Sequence, residues 1–182
     1  MMFWLTLFAY EAVWFCTVSG AGHGLAWPGV LAAAVFVTWR LFVSRHVAVE
    51  CRLLAVSLVL GAAMETFWVR AGWITYTATW SLLPAPAWIL ALWACFAFTI
   101  LPLFGYLQSR PWLAALFGAI GGPLSYAAAS DGWHAAHVIS PSWHAWCALA
   151  VGWGLALPLL TTLARRWTQA TATSRAQHRS AL

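Results

Sequence analysis

The chain has 182 residues, of which 63% are hydrophobic and only 7% charged. A soluble domain carries about 25% charged residues, so this composition excludes a water-soluble globule and makes lipid the solvent for most of the surface. The formal net charge of +5 comes from nine Arg against four acids, with no Lys. Those arginines sit in short connections and a tail, so the basic balance is not a nucleic-acid footprint.

Continuous apolar runs rich in Leu and Ala, each about 20 residues long, predict membrane-spanning helices rather than the alternating strands of a barrel. Six spans are expected, over about 3–19, 25–43, 52–70, 87–106, 112–130 and 143–164. The fold class is therefore all-α, a polytopic transmembrane bundle forming one domain over 1–164. The first span begins Met1-Met2-Phe3-Trp4 and lacks the basic segment of a secretory signal, so it reads as a mature helix. The second and third spans are joined by a loop with Arg45, between Arg40 and Arg52 at the helix ends. The longest connection, from about Ala71 to Pro86, contains Gly72, Pro84 and Pro86 and reads as a loop.

Arg110 marks the turn between the fourth and fifth spans. Ala114, Gly118 and Gly122 on the fifth span recur every four residues, as do Ala148, Gly152 and Ala156 on the sixth, a spacing that lets helix backbones approach closely. Pro102, Pro123 and Pro158 should bend their spans. The four cysteines, Cys16, Cys51, Cys95 and Cys147, show no C-x-x-C spacing and read as small packing residues; Cys16 and Cys147, both in the outer halves of their spans, are a candidate disulfide pair. Residues 165–182 are polar and are expected to be a cytoplasmic tail, disordered or surface-bound.

Orientation follows from the arginines. Arg40, Arg45, Arg52, Arg110, Arg165, Arg166, Arg175 and Arg179 fall on one side of six spans, and only Arg70 on the other. Positive charge marks the cytoplasmic side, so the topology is expected to be N-in and C-in. The fifteen Trp agree: Trp4, Trp39, Trp112 and Trp167 would mark the inner boundary, and Trp27, Trp73, Trp80, Trp88, Trp133 and Trp143 the outer one.

The first and third spans share a short pattern, Glu11-Ala12-Val13-Trp14 and Glu65-Thr66-Phe67-Trp68, each followed by glycine. The even spans start near Trp27-Pro28, Pro86-Ala87-Trp88 and Pro141-Ser142-Trp143. Three helical hairpins from an old duplication would give this pattern.

Glu11 and Glu65 are the most informative side chains, because a carboxylate inside a membrane is costly and usually faces the bundle interior with a partner. Glu and Trp three apart share a helix face, so each indole is a candidate partner for its own carboxylate. At about 1.5 Å per residue, Glu65 lies level with Ser125 and Tyr126. Glu65, Glu11 and Tyr126 could therefore line a pocket opening outward, or the Glu residues could lock the bundle. Gly121-Gly122-Pro123 frees a carbonyl near Ala119 and could break the helix or simply kink it. Asp131, His134 and His137, in a D-x-x-H-x-x-H spacing with His144 nearby, would lie along one helical face and are candidate metal ligands; the alternative is a solvated loop.

The amino-terminal aromatic helix, the stretch Gly20 to Gly29, Trp88-Ile89-Leu90-Ala91-Leu92-Trp93, and Arg110 to Gly118 running into Gly121-Gly122-Pro123 resemble a family of small bacterial inner-membrane proteins of unknown function. The resemblance covers the chain up to the tail and implies a multi-pass, lipid-associated protein with no established activity. The Asp131–His137 cluster is no part of that pattern. Separately, Glu65 with Gly72-Trp73 and Tyr76 is similar to a short stretch of membrane-embedded carotenoid cyclases, which implies acid chemistry on a polyene.

Three readings follow. The first is an accessory membrane protein of lipid metabolism or envelope stress. The second is an enzyme acting on an isoprenoid or fatty-acyl chain with Glu65 as acid. The third is a transporter of a small hydrophobic molecule. Membrane lipids and a hydrophobic small molecule are the expected partners; no cofactor is specified.

Overall fold

The computed structural model describes residues 2–80, 84–139 and 142–180, Ser142 and the stretch 174–180 as backbone. Six helices form an all-α bundle: α1 (Met2–Gly22), α2 (Trp27–Val43), α3 (Val47–Arg70), α4 (Ala87–Leu103), α5 (Pro111–Ala127) and α6 (Ser142–Ser180). A 3-10 turn, Gly105–Ser109, links α4 to α5, and a π turn, Ala128–Gly132, extends α5. Four helices are long and apolar enough to cross a membrane. The other two, α2 and α4, are apolar and 17 residues long, the lower end of what spans a bilayer.

The distribution of apolar side chains is that of a protein in an apolar solvent. Phe8 (66% exposed), Val59 (70%) and Leu155 (67%) project from three different helices. Meanwhile α4 is buried on all sides, touching α1, α2, α3 and α6. A helix apolar all round belongs at the centre, and α4 carries Trp88, Trp93 and Phe98 there at 2% exposure or less.

Small residues set the seams. A Cβ on Gly118 or Gly122 would overlap Trp153 of α6, so the α5 stripe is indeed a close-approach face. The α6 stripe faces elsewhere: a Cβ on Gly152 would press on Met64 and Trp68 of α3. Pro123 sits inside α5, which continues to Ala127. Pro102, by contrast, stands one residue before the last of α4, where the chain tightens into the 3-10 turn.

Two features depart from the expected layout. The connection after α3 is not merely a loop, because Ile74–Tyr76 (β1) pairs antiparallel with Ala136–Val138 (β2), Thr75 opposite His137. The route into β1 is a helix stop: Gly72 takes φ +71, Gly72 N–H donates to the Val69 carbonyl, and Trp73 N–H to that of Trp68. Glycine at this left-handed position closes the last carbonyls of the helix and reverses the chain. The second departure is α6, which runs on to Ser180 through residues expected to be a tail. No Gly or Pro interrupts it after Pro158, and Thr168 and Thr171 fold their hydroxyls back onto the Ala164 and Trp167 carbonyls. Pro141 of the third Pro–Trp start lies outside the described residues.

The four cysteines are free, Cys95 buried and the others exposed. Away from the strands, Arg40 and Glu50 form a buried ion pair, Nη2 to Oε1 at 2.6 Å, with Thr6 at 3.4 Å from Nη1. That pair ties the start of α1 to the turn between α2 and α3. Arg40 Nε and Glu50 Oε2 have no further hydrogen-bond partner among the described residues.

Candidate functional site

The site grows from the inner face of α3. Val49, Leu53, Ser57, Gly61, Glu65 and Trp68 are buried at intervals of three and four, so the helical repeat turns Glu65 inward. Gly61, one turn earlier, leaves room for the Trp93 indole of α4, which a Cβ there would meet at 2.5 Å. The Ser57 hydroxyl donates to the Trp93 carbonyl at 2.8 Å and fixes that residue's register. Trp93 Nε1–H then donates to Glu65 Oε1 at 3.0 Å.

Two phenols complete the shell. Tyr126 of α5 donates to Oε1 and Tyr76 of β1 to Oε2. Glu65 is fully buried, and its two oxygens receive three donors from α4, α5 and β1. A buried carboxylate is tolerable only when hydrogen-bonded in this way. Burial, and then the Glu65 charge beside it, holds the Tyr76 phenol well above its ordinary range, so it remains a donor.

A cavity of about 420 Å³ opens next to this cluster. On α1 it is lined by Tyr10, Glu11 and Trp14, and on α5 by Gly121, Ser125 and Tyr126. Trp93 and Phe96 of α4 and Trp153 of α6 form its back wall, with Trp93 and Trp153 stacked at 4.4 Å. Trp153 Nε1 is buried without a hydrogen-bond partner among the described residues. At the rim Glu11, Phe117 and Leu124 are exposed. From Phe117 to Leu124 the rim follows α5 for roughly 10 Å at 1.5 Å per residue. The result is an elongated, aromatic cleft between α1 and α5, open to whatever surrounds the bundle.

The sequence-derived site residues divide accordingly. Glu65 and Tyr126 are in direct contact, and Tyr126 and Glu11 line one cavity, whereas Glu65 does not reach its surface. The proposed Glu–Trp partnership is corrected: Trp14 Nε1 donates to Ser125 Oγ at 3.2 Å, and Glu65 takes its indole from Trp93, not Trp68. Trp68 packs edge-on to Tyr126 instead. His144 stands apart, stacked on Trp143 and parallel to Trp73 beside a second apolar cavity.

The metal reading is corrected too. Asp131 lies in the π turn, His134 in a tight turn with φ +54, and His137 on β2. The expected single helical face does not exist. Thr77 donates to the His134 carbonyl and lies 3.2 Å from His137 Nε2. Among the described residues no three His, Cys, Asp or Glu side chains gather as a metal would require.

An interfacial belt suits the exposed Trp4, Trp27 and Trp112. Trp88 is instead buried, its Nε1 donating to the Ala78 carbonyl at 3.0 Å. The missed site residues are Trp93 and Trp153, and their signal was position: both are mid-helix, where a belt residue has no reason to be.

Fold and site together define a helical bundle, with four helices long and apolar enough to cross a membrane, built around a saturated carboxylate and an aromatic cleft. Residues 3–159 match a family described as "Protein of unknown function (DUF2878)", and the chain belongs to that family. The match covers the bundle as far as Leu159 in α6. Comparison with curated proteins and with solved structures gives no match.

Proposed function

We propose that this protein is a multi-pass protein of the bacterial inner membrane that takes one apolar chain, of isoprenoid or fatty-acyl type, from the bilayer into the cleft between α1 and α5. The observation that carries this reading is the cleft itself. Its volume is in the range of small-molecule sites, about 300–1,000 Å³. Its walls are aromatic and its rim is exposed where the surrounding solvent would be hydrocarbon. Gly121 adds a further mark: a Cβ there would meet nothing within 4 Å, whereas on Gly118 and Gly122 it would strike Trp153. Two of the three glycines serve packing, and the third keeps the cleft open.

The orientation in this proposal places both termini in the cytoplasm, on the arginine asymmetry. A reporter fused after Leu182 should read as cytoplasmic; a periplasmic reading would reverse it.

The experiment that tests the cleft is mass spectrometry of lipids retained by the purified protein, beside a Gly121→Leu variant, whose Cβ would enter open space. The wild type should retain a defined apolar molecule that the variant loses while keeping its fold. An identical lipid profile for both would reject the proposal.

A catalytic reading stands second, favoured by Tyr126, which both lines the cleft and donates to Glu65. Glu65 would act on the bound chain only through that phenol. Glu65→Gln should then keep the bound lipid yet accumulate unprocessed chain in cells.

A further inference from the structure

The cleft holds one charged group, and that group has no counterpart. Glu11 projects from the middle of α1 and is exposed at the rim. Among the described residues its carboxyl makes no hydrogen bond and no ion pair; the one salt bridge is Arg40–Glu50. None of the residues lining the cleft is Arg, Lys or His. The neighbouring hydroxyls do not bond it either: the Tyr126 phenol donates to Glu65, and neither the Ser125 hydroxyl, which accepts from Trp14, nor the Tyr10 phenol forms a hydrogen bond with Glu11 among the described residues.

An acidic side chain facing hydrocarbon without a partner costs at least ~2.5 kcal/mol on insertion scales. Glu65 shows how the fold treats an enclosed carboxylate, surrounding it with three donors. Glu11 receives none. We infer that its partner is the ligand: the apolar molecule in the cleft carries a head group that donates hydrogen bonds, a hydroxyl or an ammonium, and not an anionic carboxylate or phosphate. This rests on the cleft reading above and specifies its ligand. An anionic head would meet Glu11 as a like charge and find no basic side chain in the lining, whereas a donor head would satisfy the carboxyl as its chain packs along Phe96 and Trp93. Like charges brought together in low dielectric repel strongly.

Three probes with the same chain separate the possibilities: oleyl alcohol, oleylamine and oleate, titrated against the full-length protein in nanodiscs and read by native mass spectrometry. The wild type should bind the alcohol, the amine or both, with oleate at least about tenfold weaker, a difference of about 1.4 kcal/mol. Preference for the amine over the alcohol identifies an ammonium head; the reverse identifies a hydroxyl. Glu11→Gln should raise oleate to within about threefold of the alcohol and weaken the amine, with unchanged elution and helicity showing that it folds.

Gly121→Leu separates the two levels of the argument. Oleate bound by the wild type as tightly as both others, with all three lost in Gly121→Leu, overturns the head-group inference and leaves the cleft standing. No binding by the wild type, or undiminished binding by Gly121→Leu, overturns the cleft and the inference with it.

Discussion

Glu11 and Glu65 open the same short pattern, a glutamate followed three residues later by tryptophan, yet the fold treats them in opposite ways. Glu65 is enclosed, with donors from three elements on its two oxygens. Glu11 stands at the rim of a cleft with no donor among the described residues. Tryptophan does not explain the contrast, since neither Trp14 nor Trp68 bonds its own glutamate. What differs is the neighbour: α3 packs against α4 across the Gly61 notch, while α1 and α5, joined at Trp14–Ser125, are parted by the cleft beside Glu11. The lesson is that an acid within an apolar helix is structural or functional according to whether the fold has already filled its coordination.

Substitutions can break that contrast, and the largest effect belongs to Glu65. Glu65→Leu would leave Tyr76, Tyr126 and Trp93 as buried donors without an acceptor, each worth about 1–3 kcal/mol. We expect the lowest melting temperature and yield of any single variant. Glu65→Gln should be milder, because its remaining carbonyl can still take Tyr126 and Trp93. Equal stability of Glu65→Leu and wild type in detergent-solubilised thermal melts would contradict the shell described here.

Next comes Glu50. Glu50→Ala strands the buried Arg40 charge and should cost about 3–5 kcal/mol. Joint replacement by Arg40→Met and Glu50→Leu should recover most of that loss, which a double-mutant cycle on thermal stability would read. Gly122→Ala should follow, at about 1–3 kcal/mol, since its methyl would overlap the Trp153 ring and overpacking carries that order of cost. Gly121→Ala, one position away, should be neutral. A reversed ranking of these two glycines would mean that the cleft wall has been misassigned.

Glu11 gives the smallest effect, with the opposite sign. Glu11→Leu removes an unpaired acid from an apolar surface and should raise stability by about 0.5–2 kcal/mol. A residue kept at the expense of stability is one retained for binding. Destabilisation by Glu11→Leu would show that the carboxyl has a structural partner after all.

Much of this architecture was legible in the sequence. Apolar runs of about 20 residues are dictated by bilayer thickness, so the six helices and the membrane character could be read directly. The pairing of Glu65 with Tyr126 could also be read, because helical rise fixes depth along neighbouring spans. The sheet could not: Ile74–Tyr76 and Ala136–Val138 are three residues each, too short for an alternation to register. Periodicity therefore could not bring Tyr76 to Glu65, although the short cyclase-like stretch contains both residues. The metal reading failed for a related reason. A spacing of three means one face only on a helix, and the segment from Asp131 to His137 passes through a π turn and into a strand. Polarity is likewise a poor guide at the carboxy end, because Ala, Thr, Gln and Arg continue α6 without a breaker.

The cleft's role is tested most directly by photo-crosslinking the full-length protein with a diazirine-bearing, uncharged long-chain probe and mapping the adducts by peptide mass spectrometry. Adducts should concentrate on Tyr10–Trp14 of α1 and Phe117–Ser125 of α5, be competed by excess unlabelled chain, and disappear in Gly121→Leu. Adducts spread evenly over the exposed apolar faces, at Val59 and Leu155 as much as at the cleft, and indifferent to competitor, would contradict a binding site between α1 and α5.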